Sequence, residues 1–150
     1  MWKSIIISNA YCSRIELVLA IFRRNDSIQS MDIPNTGKPR SDVLMLMNWF
    51  VSRFLEMGKD VVIGMLSDTA TGYHLSLDLQ NHIHESNLIC MSVILEQAVG
   101  RGEARADISA IIFTLPIDLL RAEMLISREI VTQSFLEKIV DEIFLPLVRI

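Results

Sequence analysis

The sequence predicts an all-α protein of about six helices, and three observations support this prediction. Apolar residues recur every three or four positions in several segments, which is the spacing of one helix face. Breaks rich in glycine or polar residues separate these segments, at 58–60 and 68–72. A connector at 100–107 joins two apolar segments by a helix stop followed by a helix start.

The predicted helices can be taken in chain order. Ser13 and Glu16 form a capping box that opens the first helix, and Ser41 or Asp42 can cap the second. Pro146 is expected to end the last one. The predicted helices are Ser13 to Arg24, Val43 to Met57, Val61 to Leu66, Tyr73 to Val99, Ile108 to Ile126 and Thr132 to Leu145.

The connector has its own signals. Gly100 and Gly102 can adopt the left-handed backbone that ends a helix, and Arg101 suits the negative end of the helix dipole. Asp107 can accept hydrogen bonds from the free amides of the next helix. Two long helices are therefore expected to turn a corner here.

The last predicted helix has the clearest two-sided pattern. Its charged positions are expected on one side and its apolar positions on the other. The charged set is Glu137, Lys138, Asp141 and Glu142, and the apolar set is Phe135, Leu136, Ile139, Val140, Ile143 and Phe144.

Composition limits the classes of function. The chain has 150 residues, enough for one domain, and 51% of them are hydrophobic, an excess that a subunit interface would cover. The net charge of −4 is the wrong sign for a module that binds nucleic acid by itself. The apolar runs are too short for a membrane span, and the first residues do not form a secretory signal, so we expect a cytoplasmic protein.

The connector and its flanks resemble the C-terminal domain of TetR/AcrR-family transcriptional regulators. The family commonly has an Ala-Val-x-Arg-Gly-Glu-x-Arg-x-Asp connector before a helix that contains a proline and a later arginine. The matching residues are Ala98, Val99, Arg101, Gly102, Glu103, Arg105, Ala106, Asp107, Ile108, Leu115, Pro116, Leu119, Leu120 and Arg121.

Two earlier segments continue this resemblance. The family's Asp-Thr-Gly-x-x-Arg-x-Asp entry is similar to Asn35-Thr36-Gly37 with Arg40 and Asp42. The family's aromatic-x-Ser-Lys-x-x-Leu-Val segment, which links the DNA-binding head to the sensor body, is similar to Tyr11, Ser13, Arg14, Glu16, Leu17 and Val18. The resemblance implies that 1–12 is a remnant of, or lead-in to, an absent helix-turn-helix head and that 13–150 is the sensor body. It also implies a phosphate contact by Arg14, with surface charge as the simpler reading.

The family resemblance further implies a homodimer. The last two long helices would pair with their copies in a second subunit as a four-helix bundle. The expected interface residues are Ile111, Leu115, Asp118, Leu119, Arg121, Ala122, Phe135, Ile139, Val140 and Ile143. For Asp118 and Arg121, the alternative is an exposed polar stripe shared with Thr114.

The resemblance also implies a small apolar effector bound among the helices. Aromatic and methionine side chains suit a pocket that accepts varied ligands, although position by position plain core filling is the simpler explanation. The candidates are Met45, Trp49, Phe50, Phe54, Met65, Tyr73, Met91 and Phe113, with Met124 beside them. Effector binding would then change the spacing of paired DNA-binding heads.

Two other functions remain open. The chain could be a head-less dimer that acts by binding other proteins, or a small metal-binding protein or enzyme. His74, Asp78 and His82 lie four residues apart on one helix face, which is metal-like spacing, but a solvated face is the simpler explanation. No catalytic motif or phosphate-binding loop appears, and the two cysteines give neither a disulfide framework nor metal spacing, so we expect no enzyme and no cofactor. DNA binding would require a helix-turn-helix head.

Overall fold

The computed structural model describes residues 32–70, 74–127 and 129–150, without the side chains of 65, 68, 69, 74–80, 82 and 83. These residues form five helices and no strand, which confirms the all-α prediction. The predicted helix Ser13 to Arg24 lies outside the described residues. The five are α1 (Pro39–Met57), α2 (Lys59–Ala70), α3 (His74–Gly100), α4 (Ala110–Ile126) and α5, which runs through Gln133–Lys138, Ile139–Phe144 and Leu145–Val148.

Helix α1 begins earlier than the sequence predicted, and neither Ser41 nor Asp42 is its N-cap. Pro39 occupies the first turn, where its fixed φ and missing amide are tolerated. Asp42 is fully buried, and its Oδ1 accepts hydrogen bonds from the Thr36 amide and from Thr36 Oγ1, both at 2.7 Å. The carboxylate therefore fixes the loop before the helix instead of capping it.

A glycine separates α1 from α2. Gly58 has a φ of +86°, which side-chain-bearing residues rarely adopt, and its amide donates to the Phe54 carbonyl. The next residue, Lys59, donates from Nζ to the Ser127 carbonyl at 3.0 Å. Because Ser127 is the C-cap of α4, the start of α2 is attached to the end of α4.

The end of α3 forms a Schellman motif. The Gly102 amide donates to the Val99 carbonyl and the Glu103 amide to the Ala98 carbonyl, both at 2.9 Å, and Gly102 has a φ of +74°. The predicted stop is thus confirmed at Gly102. The predicted start at Asp107 is wrong, because α4 begins at Ala110 and its N-cap is Ser109.

The connector then closes over the end of α5. The Arg105 amide donates to the Val148 carbonyl at 2.8 Å, and Arg105 Nη2 donates to the Leu147 carbonyl at 2.6 Å. A cation beside the last carbonyls of a helix also suits the helix dipole. The motif that the sequence marked as a corner is therefore also the C-terminal cap of another helix.

The middle of α5 is a π-helix, which the sequence did not predict. In this π segment (Ile139–Phe144) the Leu145 amide donates to the Val140 carbonyl, five residues back instead of four. Pro146 follows directly, and the helix continues to Val148, so the expectation that Pro146 ends the helix is wrong. A proline inside a regular α-helix clashes with the carbonyl four residues before it, and the wider turn relieves that clash.

The π segment changes which side chains face the interior. In a regular helix the face that holds Leu136, Ile139 and Val140 continues at positions 143 and 147. The structure instead buries positions 144, 145 and 148, and Ile143 is 40% exposed. Ile143, which the sequence placed on the same side as Phe144, is therefore separated from it by burial. The extra residue in the hydrogen-bonded ring turns the end of the helix by roughly 100°.

The core lies between α1, α3, α4 and α5. Their inward-facing apolar side chains form one cluster. Its fully buried members include Val43, Leu46, Met47, Met91, Ile94, Ala98, Val140 and Phe144. Helix α2 packs outside this cluster, against α1, α3 and α4. Across the described helices, no stretch combines the length and apolarity that a membrane crossing requires.

An ion pair ties the start of α1 to the π segment. Arg40 Nε donates to Asp141 Oδ1 at 2.7 Å, and Arg40 Nη2 donates to Asp141 Oδ2 at 2.8 Å. This two-point contact holds the pKa of the Asp141 carboxyl below its usual value. Both side chains are about two-fifths exposed, at 43% and 40%, so solvent screens the pair.

The pair predicts a pH-dependent stability difference between the wild type and Asp141→Asn. Because the folded-state pKa of Asp141 is lower than the unfolded value near 3.8, its stabilisation is present above that value and is lost as the pH falls through the folded-state pKa. Urea unfolding should find Asp141→Asn less stable at pH 7 and equal to the wild type at the acid end. Glu142→Gln, which removes an exposed carboxylate from the same segment, is the control; an equal loss in both variants would contradict the prediction.

Candidate functional site

Aromatic side chains of α1 lie at the margin of the core. The rings of Trp49 and Phe50 meet edge to face, with centroids 5.1 Å apart and planes at 81°. The Arg53 guanidinium lies over the Trp49 ring, 5.3 Å from its centroid, and also pairs with Glu56 at 3.0 Å. Phe50 and Phe54 are half-buried and pack against the core cluster. The arrangement gives α1 an apolar inner side and a charged outer edge.

The structure places the predicted ligand-binding residues in three different environments. Phe113 of α4 is half-buried against the core, like Phe50 and Phe54. Met91 is completely buried in α3, whereas Met45 is 52% exposed on α1. Tyr73 and the side chain of Met65 lie outside the described residues. The three phenylalanines are therefore the best placed of the predicted set to meet a ligand, because they reach both the core and the surface.

The interior also contains polar groups that the sequence analysis missed. Ser86 and Asn87 of α3 are buried, and Thr114 of α4 is 5% exposed, so Thr114 does not belong to an exposed stripe with Asp118. Thr114 Oγ1 donates to the Ile111 carbonyl at 3.4 Å, one turn back. Buried Cys90 has a raised thiol pKa because burial disfavours the thiolate. An interior of this kind offers apolar contact with a few polar groups.

Helix α4 carries a surface stripe at helical spacing. Ile111 is 74% exposed and Ile126 is 82% exposed, and Asp118 and Ala122 lie between them on the same side. Leu115 and Leu119 are half-buried beside this stripe. Exposed isoleucines therefore lie near both ends of this helix face, with a charged residue and an alanine between them.

Helix α5 and the residues that follow it add a second group of exposed apolar side chains. Ile143, Leu147 and Ile150 are 40%, 39% and 86% exposed, and Phe135 is half-buried. Ile139 and Val140, which the sequence placed at the interface, are 3% and 0% exposed in the core of this chain. The side chains of these two residues are therefore not on the surface. Leu147 and Ile150 are exposed, although the sequence analysis named neither as an interface residue.

Asp118 and Arg121 form an ion pair one turn apart on α4. Arg121 Nη1 donates to Asp118 Oδ1 at 3.1 Å, and the two side chains are 37% and 47% exposed. A pair this accessible contributes little to stability in water, about 0.5 kcal/mol or less. The charges are thus already matched within the chain before any partner covers them.

Two other groups of predicted residues lie outside the described part of the chain. These are Arg14, the phosphate-contact candidate, and the side chains of the row His74, Asp78 and His82. Among the residues that the structure describes, no group of three or more histidine, cysteine or acidic side chains could hold a metal ion.

The comparison with protein families agrees with this geometry. Residues 33–143 match the family model described as the tetracyclin repressor-like C-terminal domain. The match begins just before α1 and ends in the π segment, so it contains the aromatic edge of α1, the connector and all of α4. No curated protein and no solved structure matches the chain.

The chain belongs to the tetracyclin repressor-like C-terminal domain family. This identifies it as the ligand-binding and dimerisation domain type of a TetR-type transcriptional regulator, which confirms the resemblance inferred from the connector. Regulators of this family generally act by binding rather than by catalysis.

The contrast between Met91 and Met45 predicts which sequence-selected methionine is structural. Met91→Ala should lower the free energy of unfolding by about 2–5 kcal/mol, because it leaves a cavity in the core. Met45→Ala should change it by roughly 0.5 kcal/mol or less, because the side chain is exposed. Urea titration followed by circular dichroism measures both. Similar losses in the two variants would show that burial does not separate these positions.

Proposed function

We propose that this chain is the effector-sensing and dimerising part of a TetR-type regulator. Residues 13–150 would form the sensor body, and it would act together with a helix-turn-helix head. The observation that carries the proposal is the family match over 33–143, which includes the half-buried phenylalanines of α1 and α4 and the exposed stripe of α4. The protein would act in the cytoplasm, where regulator and DNA meet.

Self-association is supported by the two groups of exposed apolar side chains on α4 and α5. Isoleucines that are 74–86% exposed at 111, 126 and 150 would be costly to leave in water, at about 25 cal/mol per Å² of apolar area. A second copy with the same faces would cover them, because a two-fold axis pairs each patch with itself. The four helices would then form a bundle from two subunits.

Effector binding is supported by the half-buried phenylalanines of α1 and α4. Phe50, Phe54 and Phe113 contact the core on one side and remain partly accessible on the other. Movement of these side chains could open space between α1, α3 and α4 for a small apolar molecule. The effector must bind one of two conformations more tightly, since equal affinity for both would shift nothing.

Coupling to DNA would run through the N-terminal end of the sensor body. The start of α1 is fixed by the contacts of Asp42 with Thr36 and of Arg40 with Asp141. An effector that moves α1 would therefore move the π segment of α5 through Arg40 and the loop before α1 through Asp42. The acidic chain has a net charge of −4, so the contacts with phosphates would come from the head, with Arg14 as the candidate at its border.

The proposal predicts that the wild type is a dimer at micromolar concentration. Sedimentation equilibrium should give twice the chain mass, and Ile126→Glu should raise the dimer Kd by about tenfold or more, because it places a charge on an apolar contact. Ile89→Glu on α3 is the matched control, since that isoleucine is also exposed, at 56%, but belongs to neither α4 nor α5. A wild type that stays monomeric would end the association half of the proposal.

The effector site predicts binding of an apolar probe. N-phenyl-1-naphthylamine fluorescence should rise and saturate at about one probe per chain, and Phe54→Asp or Phe113→Asp should lower the affinity by about tenfold. Leu55→Asp, beside Phe54 but 66% exposed, is the control and should leave the affinity unchanged. Linear, non-saturating fluorescence, or equal loss in Leu55→Asp, would contradict a defined site.

A further inference from the structure

The end of α5 is apolar on two neighbouring sides, so its sequence is compatible with two orientations. One row is Ile143 and Leu147, and the other is Phe144 and Val148. A regular helix that continues the face of Ile139 would bury the first row, whereas the structure buries Phe144 and Val148 completely or nearly so, at 0% and 1% exposure. Because both rows are apolar, hydrophobicity alone does not determine which row is buried. Another feature of the structure must determine it.

We propose that the π segment sets the orientation of the last turns of α5 and thereby decides which row meets the second subunit. It buries Phe144 and Val148 and leaves Ile143 and Leu147 of α5 exposed, together with Ile150 after the end of the helix. The inference rests on the proposed dimer for its partner, but the orientation itself belongs to the single chain.

One proline and two hydrogen-bonded contacts hold this orientation. Pro146 has no amide to donate and disfavours a regular helix at its position. Arg40 grips Asp141, which lies inside the π segment, through two hydrogen bonds. Arg105 donates to the Leu147 carbonyl and fixes the far end of the same helix. Helix α5 is therefore restrained in its π segment by Arg40 and at its end by Arg105, which belong to two other parts of the chain.

The orientation is tested first without dimerisation, in an Ile126→Glu background. Adding Leu147→Glu should change the melting temperature by about 3 °C or less, because that side chain reaches water. Adding Val148→Glu should lower it by about 10 °C or more, or prevent folding, because it buries an unpaired charge. The opposite ranking, or equal losses, would overturn the proposal.

A deletion tests the extra residue itself. Pro146→Ala is introduced first, because a regular helix would not accommodate the proline. In that background, deleting Glu142 should turn the π segment into a regular helix while Phe144 and Val148 keep their inward positions, so the dimer Kd should stay within about threefold of the Pro146→Ala value. Deleting the exposed Glu96 from the regular helix α3 is the control and should destabilise the fold strongly, because it rotates the last turn of that helix, with the fully buried Ala98, by about 100°. A Glu142 deletion as damaging as the Glu96 deletion would exclude a π register.

The two proposals fail in different ways. A wild type that is monomeric, with the Leu147 and Val148 variants ranked as expected, would reject the dimer and keep the orientation. The other case is a wild type that dimerises and a Leu147→Glu variant, without further changes, whose dimer Kd stays within about threefold of the wild type. This result would show that Leu147 is not at the interface and would overturn the role of the orientation in association.

Discussion

The packing of this chain depends on how its connector closes over the end of the last helix. The Schellman motif at Gly102 turns the backbone, and three residues later Arg105 contributes its amide and guanidinium to the carbonyls of Val148 and Leu147. Without these contacts the last carbonyls of α5 would lack partners from the protein, and the helix that completes the core would fray from its end. The connector at 100–107 thus stabilises the C-terminal end of α5 at Leu147 and Val148, more than 40 positions further along the chain.

The second constraint is the mismatch between the helical period and the positions of large side chains in α5. Leu136 and Val140 follow a regular helix, and Phe144 and Val148 fit the same interior only after one extra residue in the turn. Burial of Phe144, together with the proline that follows, compensates for the irregular hydrogen bonding. The outcome is one helix with an inner row for its own core and an outer row for another molecule.

Helical spacing was sufficient to predict the fold class and the approximate position of each described helix, because these depend on local apolar periodicity. Helical spacing failed where a distant residue or an irregular turn determines the position of a side chain. Asp42 serves the loop at Thr36, which no local capping pattern reveals, and the partner of Arg40 lies at Asp141, far along the chain. Ile139 and Val140 were expected at an interface because a repeating pattern cannot tell a core row from a contact row when both are apolar. The sequence selected the phenylalanines of α1 and α4 together with Met91 as ligand-binding candidates. Only the packing shows that the phenylalanines are half-buried whereas Met91 is fully buried.

The contact between Lys59 and the Ser127 carbonyl has a consequence for sequence variation. Its acceptor belongs to the backbone, so many residues at position 127 leave it intact, whereas position 59 needs a long side chain with a donor at its tip. The same asymmetry holds for Arg105, whose acceptors are also main-chain oxygens. Substitutions at the ends of α4 and α5 are thus compatible with the same helix packing, provided that Lys59 and Arg105 are retained.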